Sequence, residues 1–388
     1  MNFLSAFERG QNLQSMGYYM GKGLHKFYMD TGGVLQRRIW TVASASKLGK
    51  STYVNDGWVL SPYIDWLENH KDKTDKDIEW IYLSYEIDRV TMEFDFATYF
   101  LYHDYGIEVL NLDEGQTVKG KPYVELSPRY LKGHLISDQG NLIKVRPKVV
   151  EVLKKVYEDR IVPLFGRYDD KGRRLEKGKI TFISNPENPT GLNKKLMSRA
   201  AKYGKFTYQS WEDERTGEKG NRVIGYTPDN PNMTTLIICD HVRKIPSEQG
   251  FNKKMTVDKY YEYCVLLRNL LGYSFVNIIH TNRNMTDTDR RKFAKDALFP
   301  TSEDIKDTSN GAEDSDYVIT LFNPNDEKWN LNSHFGMPIK GKNGNSLYPG
   351  LRTLHLTENR HGECPIHFKT ILAGNLKTIL EFKDEHIK

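Results

Sequence analysis

Cysteine is scarce in this sequence: three residues in 388, at Cys239, Cys264 and Cys364. They form no close pair and no ligand-like spacing, which leaves out a disulfide framework and a zinc site. They read as reduced core thiols of a cytosolic protein. Long apolar runs are missing as well; none approaches the roughly 20 residues a membrane-spanning helix needs. Residues Met1 to Arg9 lack the apolar stretch of a signal peptide. Internal repeats, low-complexity tracts and heptad arrays are absent. No sign of charge is in strong excess: 56 Lys and Arg against 51 Asp and Glu give a formal +5. That balance is compatible with a nucleic-acid partner without pointing to one. What is left is 38% hydrophobic and 28% charged, a soluble globular composition with ample length for a core.

Within it, the run Ile39-Trp40-Thr41-Val42 reads as a buried strand. It feeds Ser44-Ala45-Ser46-Lys47-Leu48-Gly49-Lys50-Ser51-Thr52, and the residues that follow can open a helix. Strand, glycine turn, Gly-Lys-Ser and helix is the build of a phosphate-binding loop. Backbone N–H groups converge there, and the helix N-terminus adds partial positive charge. Lys50 is placed to reach the β- and γ-phosphates of ATP, and Ser51 to hold Mg²⁺. The pattern has one departure: Ser44 stands where the first glycine belongs.

Downstream, Ile78-Glu79-Trp80-Ile81-Tyr82-Leu83-Ser84-Tyr85-Glu86 reads as a strand ending in a carboxylate, followed by a helix over 88–105. Alternating strands and helices predict an α/β fold with a mainly parallel sheet flanked by helices. Ligands of such sheets sit at the carboxyl ends of the strands, so Glu86 and the phosphate loop should converge. Thr234-Thr235-Leu236-Ile237-Ile238-Cys239-Asp240 is a further strand, and Asp240 at its end is the second Mg²⁺ candidate. Phe275-Val276-Asn277-Ile278-Ile279-His280 ends in a histidine, either a satisfied core residue or a sensor of the γ-phosphate. The cluster Arg283, Arg290, Arg291, Lys292 and Lys295 is either a solvated face or a loop that contacts phosphates. A hairpin is expected from Arg352–Thr357 and Ile366–Thr370, with Arg360 on its tip. Smaller hairpins are expected at Gly133–Val145 and from Phe206–Ser210 against Arg222–Tyr226. Residues 1–23 read as an arm or linker helix, and 24–388 as one domain with an elaboration at about 107–230.

The chain resembles the ATPase core of DnaB-like replicative helicases, a RecA-fold group that includes phage helicases. Four segments carry the resemblance. They are Thr31-Gly32-Gly33-Val34-Leu35 before the phosphate loop, Leu83-Ser84-Tyr85-Glu86, Asp304-Ile305-Lys306-Asp307-Thr308 with Glu313-Asp314-Ser315-Asp316, and Glu358-Asn359-Arg360-His361-Gly362. The resemblance implies a RecA-like P-loop NTPase that forms a homo-oligomer, a hexameric ring with ATP between subunits. Glu86 would activate the attacking water, and Arg360 would enter the neighbour's site as an arginine finger. Some phage helicases carry a histidine at the sensor, which singles out His280. Single-stranded DNA would be held by loops at 243–256 (Arg243, Lys244, Lys253, Lys254) and 283–303 (Arg283, Arg290, Arg291). The implied setting is the cytoplasm, that of a bacterial host for a phage protein, with a primase or loader as a further partner. Two departures stand out: Glu358 replaces a cationic residue, and only about 30 residues precede the core, so the family's N-terminal helical domain is not expected. Two other readings stay open: a RecA-like recombinase, and a nucleotide-binding DNA-binding or assembly module with weak turnover.

Overall fold

The structure is a computed structural model that describes residues 16–73, 75–212, 215, 219–282, 294–305 and 310–383. Residues Phe3 to Leu13 of the expected arm lie outside these, as do Arg283, Arg290, Arg291 and Lys306 to Thr308.

Nine strands make one sheet: β1 (Ile39–Ser44), β2 (Asp77–Ser84), β3 (Ile180–Ile183), β4 (Met233–Asp240), β5 (Ser274–His280), β6 (Tyr317–Phe322), β7 (Leu351–Asn359), β8 (Ile366–Ala373) and β9 (Thr378–Glu381). Their spatial order is β9-β8-β7-β6-β1-β5-β4-β2-β3. The six strands from β6 to β3 run parallel, and β7, β8 and β9 add an antiparallel edge. This is the expected RecA-like α/β architecture. The chain leaves β5 on one side of β1 and returns as β6 on the other. That crossover makes the carboxyl end of β1 a topological switch point, where such sheets bind ligands.

Parallel strands buried on both faces read as unbroken apolar runs, and each residue's parity then picks its face. Trp40, Val42, Trp80, Tyr82, Ile238 and Ile278 enter one core. Ile39, Ala43, Ile81, Leu83, Ile237, Cys239 and Ile279 enter the other. Two short helices, α1 (His25–Thr31) and α2 (Lys50–Asn55), flank β1 in sequence, and α3 (Arg89–Tyr105) follows β2. Downstream come α4 (Pro147–Val156), α5 (Pro189–Ala200) and α6 (Lys253–Leu271). Phe96, Phe100 and Val149 of α3 and α4 pack into the first core; Leu192, Leu196, Tyr260, Tyr261, Cys264 and Leu267 of α5 and α6 pack into the second.

The helix after the phosphate loop is continuous but irregular. It passes from α2 through a π-helical turn, Asp56–Leu60, into Ser61–Asn69, with Pro62 in the first turn of that last part. Pro is tolerated there because it lacks only an N–H that has no helical partner anyway.

The hairpin at the chain's far end is β7 and β8, with Leu354 opposite Phe368. The exposed hairpin also forms, Gly204–Glu212 against Lys219–Pro228, with Phe206 opposite Tyr226. Gly133–Val145 departs from expectation: it keeps the turn, Gly140 N–H to Ser137 O at 2.9 Å, but only one bridge, Ile136 with Leu142. Cys364 also departs, lying exposed on the β7–β8 turn, whereas Cys239 and Cys264 are buried. Among the described residues, no helix is long and apolar enough to cross a membrane.

Candidate active site

Four neighbouring strands, β1, β5, β4 and β2, end at the same edge of the sheet. The cleft there is lined by Ser46, Lys47, Gly49, Lys50, Ser51, Thr52, Glu86, Asp240, His241 and His280. Ala45 and Leu48 complete the loop that curves between β1 and α2. The curve needs left-handed backbone at Lys47 (φ 64°) and Gly49 (φ 95°). A side chain at Gly49 would also meet Leu372 Cδ2 at 2.6 Å, because the β8–β9 turn packs against the loop.

Lys50 is buried in the curl of the loop. Its ammonium donates to Ala45 O at 2.9 Å, Ser44 O at 3.1 Å and Ser44 Oγ at 3.2 Å, and lies 3.2 Å from His280 Nδ1. Burial lowers its pKa to about 8, against the pull of Asp240 and Glu86. Ser44, in place of the glycine, is fully buried and serves the loop: its hydroxyl donates to Ala45 O at 2.8 Å and accepts from Lys50.

Ser51 Oγ donates to Asp240 Oδ2 at 2.6 Å. Burial pushes the Asp240 carboxyl up, while the Ser51 hydroxyl and Lys50 act the other way. A hydroxyl and a carboxylate in contact are hard oxygen donors of the kind Mg²⁺ takes alongside phosphate oxygens and water. Among the described residues no group of three or more His, Cys, Asp and Glu could form a self-sufficient metal cage.

Glu86 lies two residues past β2, and the strand end is pinned to β4 by Tyr85 N–H to Asp240 O at 3.0 Å. Its carboxylate is half exposed on the cleft. His241 Nε2 stands 3.2 Å from Glu86 Oε1, and Lys244 Nζ 3.8 Å from it. The His241 and His280 rings meet edge to face, with centroids 4.7 Å apart. Burial and the surrounding lysines lower both histidines to about 4, so both are neutral at pH 7. Sequence reasoning assigned no role to His241. Its one signal was its position, directly after the strand-terminal Asp240.

Arg360 is exposed on the β7–β8 turn, and its N–H bonds Asp316 O at 3.0 Å. Asn359 pairs with Tyr317 at the amino end of β6, so the turn lies at the edge of the sheet opposite the cleft. The structure therefore does not bring Arg360 to Lys50 within one chain. Glu358 accepts from Ser302 Oγ at 2.7 Å. The acidic segment that carried part of the resemblance is a brace. Asp316 accepts from Ile39 N–H at 2.8 Å and from Arg268 Nη1 at 3.0 Å. Asp304 closes a capping box with Thr301.

Of the loop cations, Lys244 and Lys254 are exposed and Arg243 is half-buried. Lys253 donates to Ile245 O at 2.6 Å at the start of α6. Arg283, Arg290 and Arg291 lie outside the described residues.

No family model matches the sequence, and no curated protein does. Among solved structures the chain is similar to the ATPase domain of a DnaB-like replicative helicase, with a TM-score of 0.61 at 9% identity, covering 98% of this chain and 97% of that one. It is about equally similar to a second DnaB-like replicative helicase, described with its interactions with primase: TM-score 0.60, 9% identity, 98% of this chain and 66% of that one. The fold is that of a DnaB-like helicase ATPase domain. At this identity the likeness is one of fold. In that DnaB-like frame, the cleft described above sits at the switch point of the sheet.

Proposed function

We propose that this chain is a DnaB-type DNA helicase or translocase that hydrolyses ATP at subunit interfaces and moves along single-stranded DNA. One observation carries the reading: Lys50, Ser51, Asp240, Glu86 and His280 line one cleft at the carboxyl ends of adjacent strands. The donor set fits Mg·ATP. Lys50 is a cation held at the focus of the phosphate loop, and Ser51 with Asp240 offers oxygen ligands for Mg²⁺, which when bound would neutralise phosphate charge. Glu86 faces the cleft as a carboxylate free to take the proton of an attacking water. His280, bonded to Lys50, is placed to register a change at the phosphate end of the site.

Arg360 supports a shared site. At the opposite edge of the sheet it can complete only another copy's cleft, as a head-to-tail ring would require. An arginine supplied in this way is worth ~10³–10⁵ in rate. Lys244 and Lys254, with Arg243, Arg283, Arg290 and Arg291, are the proposed DNA contacts; contact to the backbone is salt-sensitive and sequence-tolerant.

Steady-state ATPase assays with and without single-stranded DNA test the reading. DNA-stimulated turnover that disappears in Lys50→Ala supports it. A second reading, an assembly module that binds nucleotide with little turnover, is favoured by Glu358, which is tied to Ser302 where the family has a cation. Nucleotide binding without hydrolysis under every condition would select it.

A further inference from the structure

Glu86 is the least constrained member of the cleft, and a general base must be aimed. Its side chain is 43% exposed, on a loop past the end of β2. Two groups approach it. Lys244 is 3.8 Å away, beyond ordinary hydrogen-bond reach, and its own side chain is 53% exposed. His241 is 3.2 Å away with a side chain only 6% exposed. The buried partner is the one able to fix the exposed one.

His241 is itself fixed by its surroundings. It follows Asp240 at the end of β4, and its ring packs edge to face with His280 at 4.7 Å. A carboxylate only accepts hydrogen bonds, so His241 Nε2 carries the hydrogen and Nδ1 does not. Nδ1 is buried and has no hydrogen-bond partner. A neutral donor suits this task. It orients the carboxylate while leaving it more basic than a full ion pair would.

We propose that His241 is a positioning residue whose Nε2–H holds the Glu86 carboxylate toward the water it activates. The contacts continue beyond it. Lys50 touches His280, His280 packs on His241, and His241 bonds Glu86. The loop cation that meets phosphate and the base that meets water are thus joined through two imidazoles. This inference rests on the proposed ATP hydrolysis.

The test compares steady-state ATPase of the full chain with single-stranded DNA for wild type, His241→Gln, His241→Phe, Glu86→Gln and the double variant Glu86→Gln/His241→Phe. Binding of a fluorescent ATP analogue is measured on each. Gln can place an N–H near the Nε2 position; Phe keeps the ring and removes the donor. His241→Phe is expected to lower kcat about tenfold or more with KM and analogue affinity unchanged, because only the aim of the base is lost. His241→Gln should recover most of that loss. In the Glu86→Gln background His241→Phe should have no further effect. A His241→Phe enzyme with wild-type kcat overturns the inference. So does a loss that appears equally in Gln and Phe with weakened analogue binding, which marks a structural role. Absence of turnover in the wild type overturns the proposed hydrolysis itself, and the inference with it.

Discussion

At Ser44 the backbone stays within strand β1, out of the left-handed region, whereas Gly49 sits at φ 95° beside Leu372. The two glycine positions of the phosphate-loop pattern therefore make different demands here. The first accepts a small side chain whose hydroxyl bonds the loop; the second accepts none. Gly49→Ala combines a strained φ, worth on the order of 1–3 kcal/mol, with a close contact to Leu372. It is expected to lower ATP turnover much more than Ser44→Gly, and paired ATPase assays on the two variants check the ranking. Equal losses would show that Ser44 is as constrained as Gly49. The phosphate-loop residues were legible in the sequence because the motif is local. His241 was not, because its significance is a 3.2 Å approach to a residue 155 positions away.

At the scale of elements, the parallel strands were readable as apolar runs, since both faces of the sheet are buried. The segment between Ile107 and Lys179 was harder. Leu110, Val124, Leu126, Tyr130 and Ile143 reach the first core from short pieces with no period of their own. Tertiary contact, not local pattern, decides them. Asp316 is another long-range case: it links β6 to the start of β1 and to Arg268 of α6, with side chains 7% and 14% exposed. Asp316→Ala leaves the Arg268 charge without this partner and is expected to cost about 3 kcal/mol. Urea denaturation measures it; a change below about 0.5 kcal/mol, as at ordinary surface sites, would contradict the brace.

The antiparallel edge carries a second element-scale prediction. His334, His355 and His367 gather there with Phe299 and Phe335, and His355 Nδ1 lies 2.7 Å from His367 Nδ1. Burial lowers all three histidines, His334 to about 4. Below the ordinary value of 6.5 the unfolded chain takes up protons at these sites that the folded chain refuses. Stability is thus full above about pH 6.5 and falls as pH drops toward about 4. Each such site contributes up to about 1.4 kcal/mol per pH unit in that window. His334→Leu should flatten the pH dependence of the urea midpoint between these values. An unchanged slope would contradict the buried-neutral account of the cluster.

For the whole molecule, the decisive relation is between the two ends of the sheet. Lys50 lies at the carboxyl end of β1, and Arg360 at the amino end of β6, about 20 Å apart by the rise of six residues. A chain built this way carries both halves of a site and cannot close them on itself. Turnover should therefore rise more steeply than linearly with protein concentration as copies associate, and the specific activity should level off once assembly is complete. A specific activity independent of concentration down to the lowest detectable level, with the chain monomeric by sedimentation, would contradict assembly-dependent sites.

The most direct measurement mixes two variants, Lys50→Ala and Arg360→Ala, each nearly inactive alone. In a mixed ring some interfaces pair an intact Lys50 from one copy with an intact Arg360 from the next. DNA-stimulated ATPase of the equimolar mixture is predicted to return to roughly a quarter of the wild-type value, the share of interfaces with both groups when copies mix at random. A mixture as inactive as its components, under conditions where the wild type turns over and the variants co-assemble, would contradict a site shared between subunits.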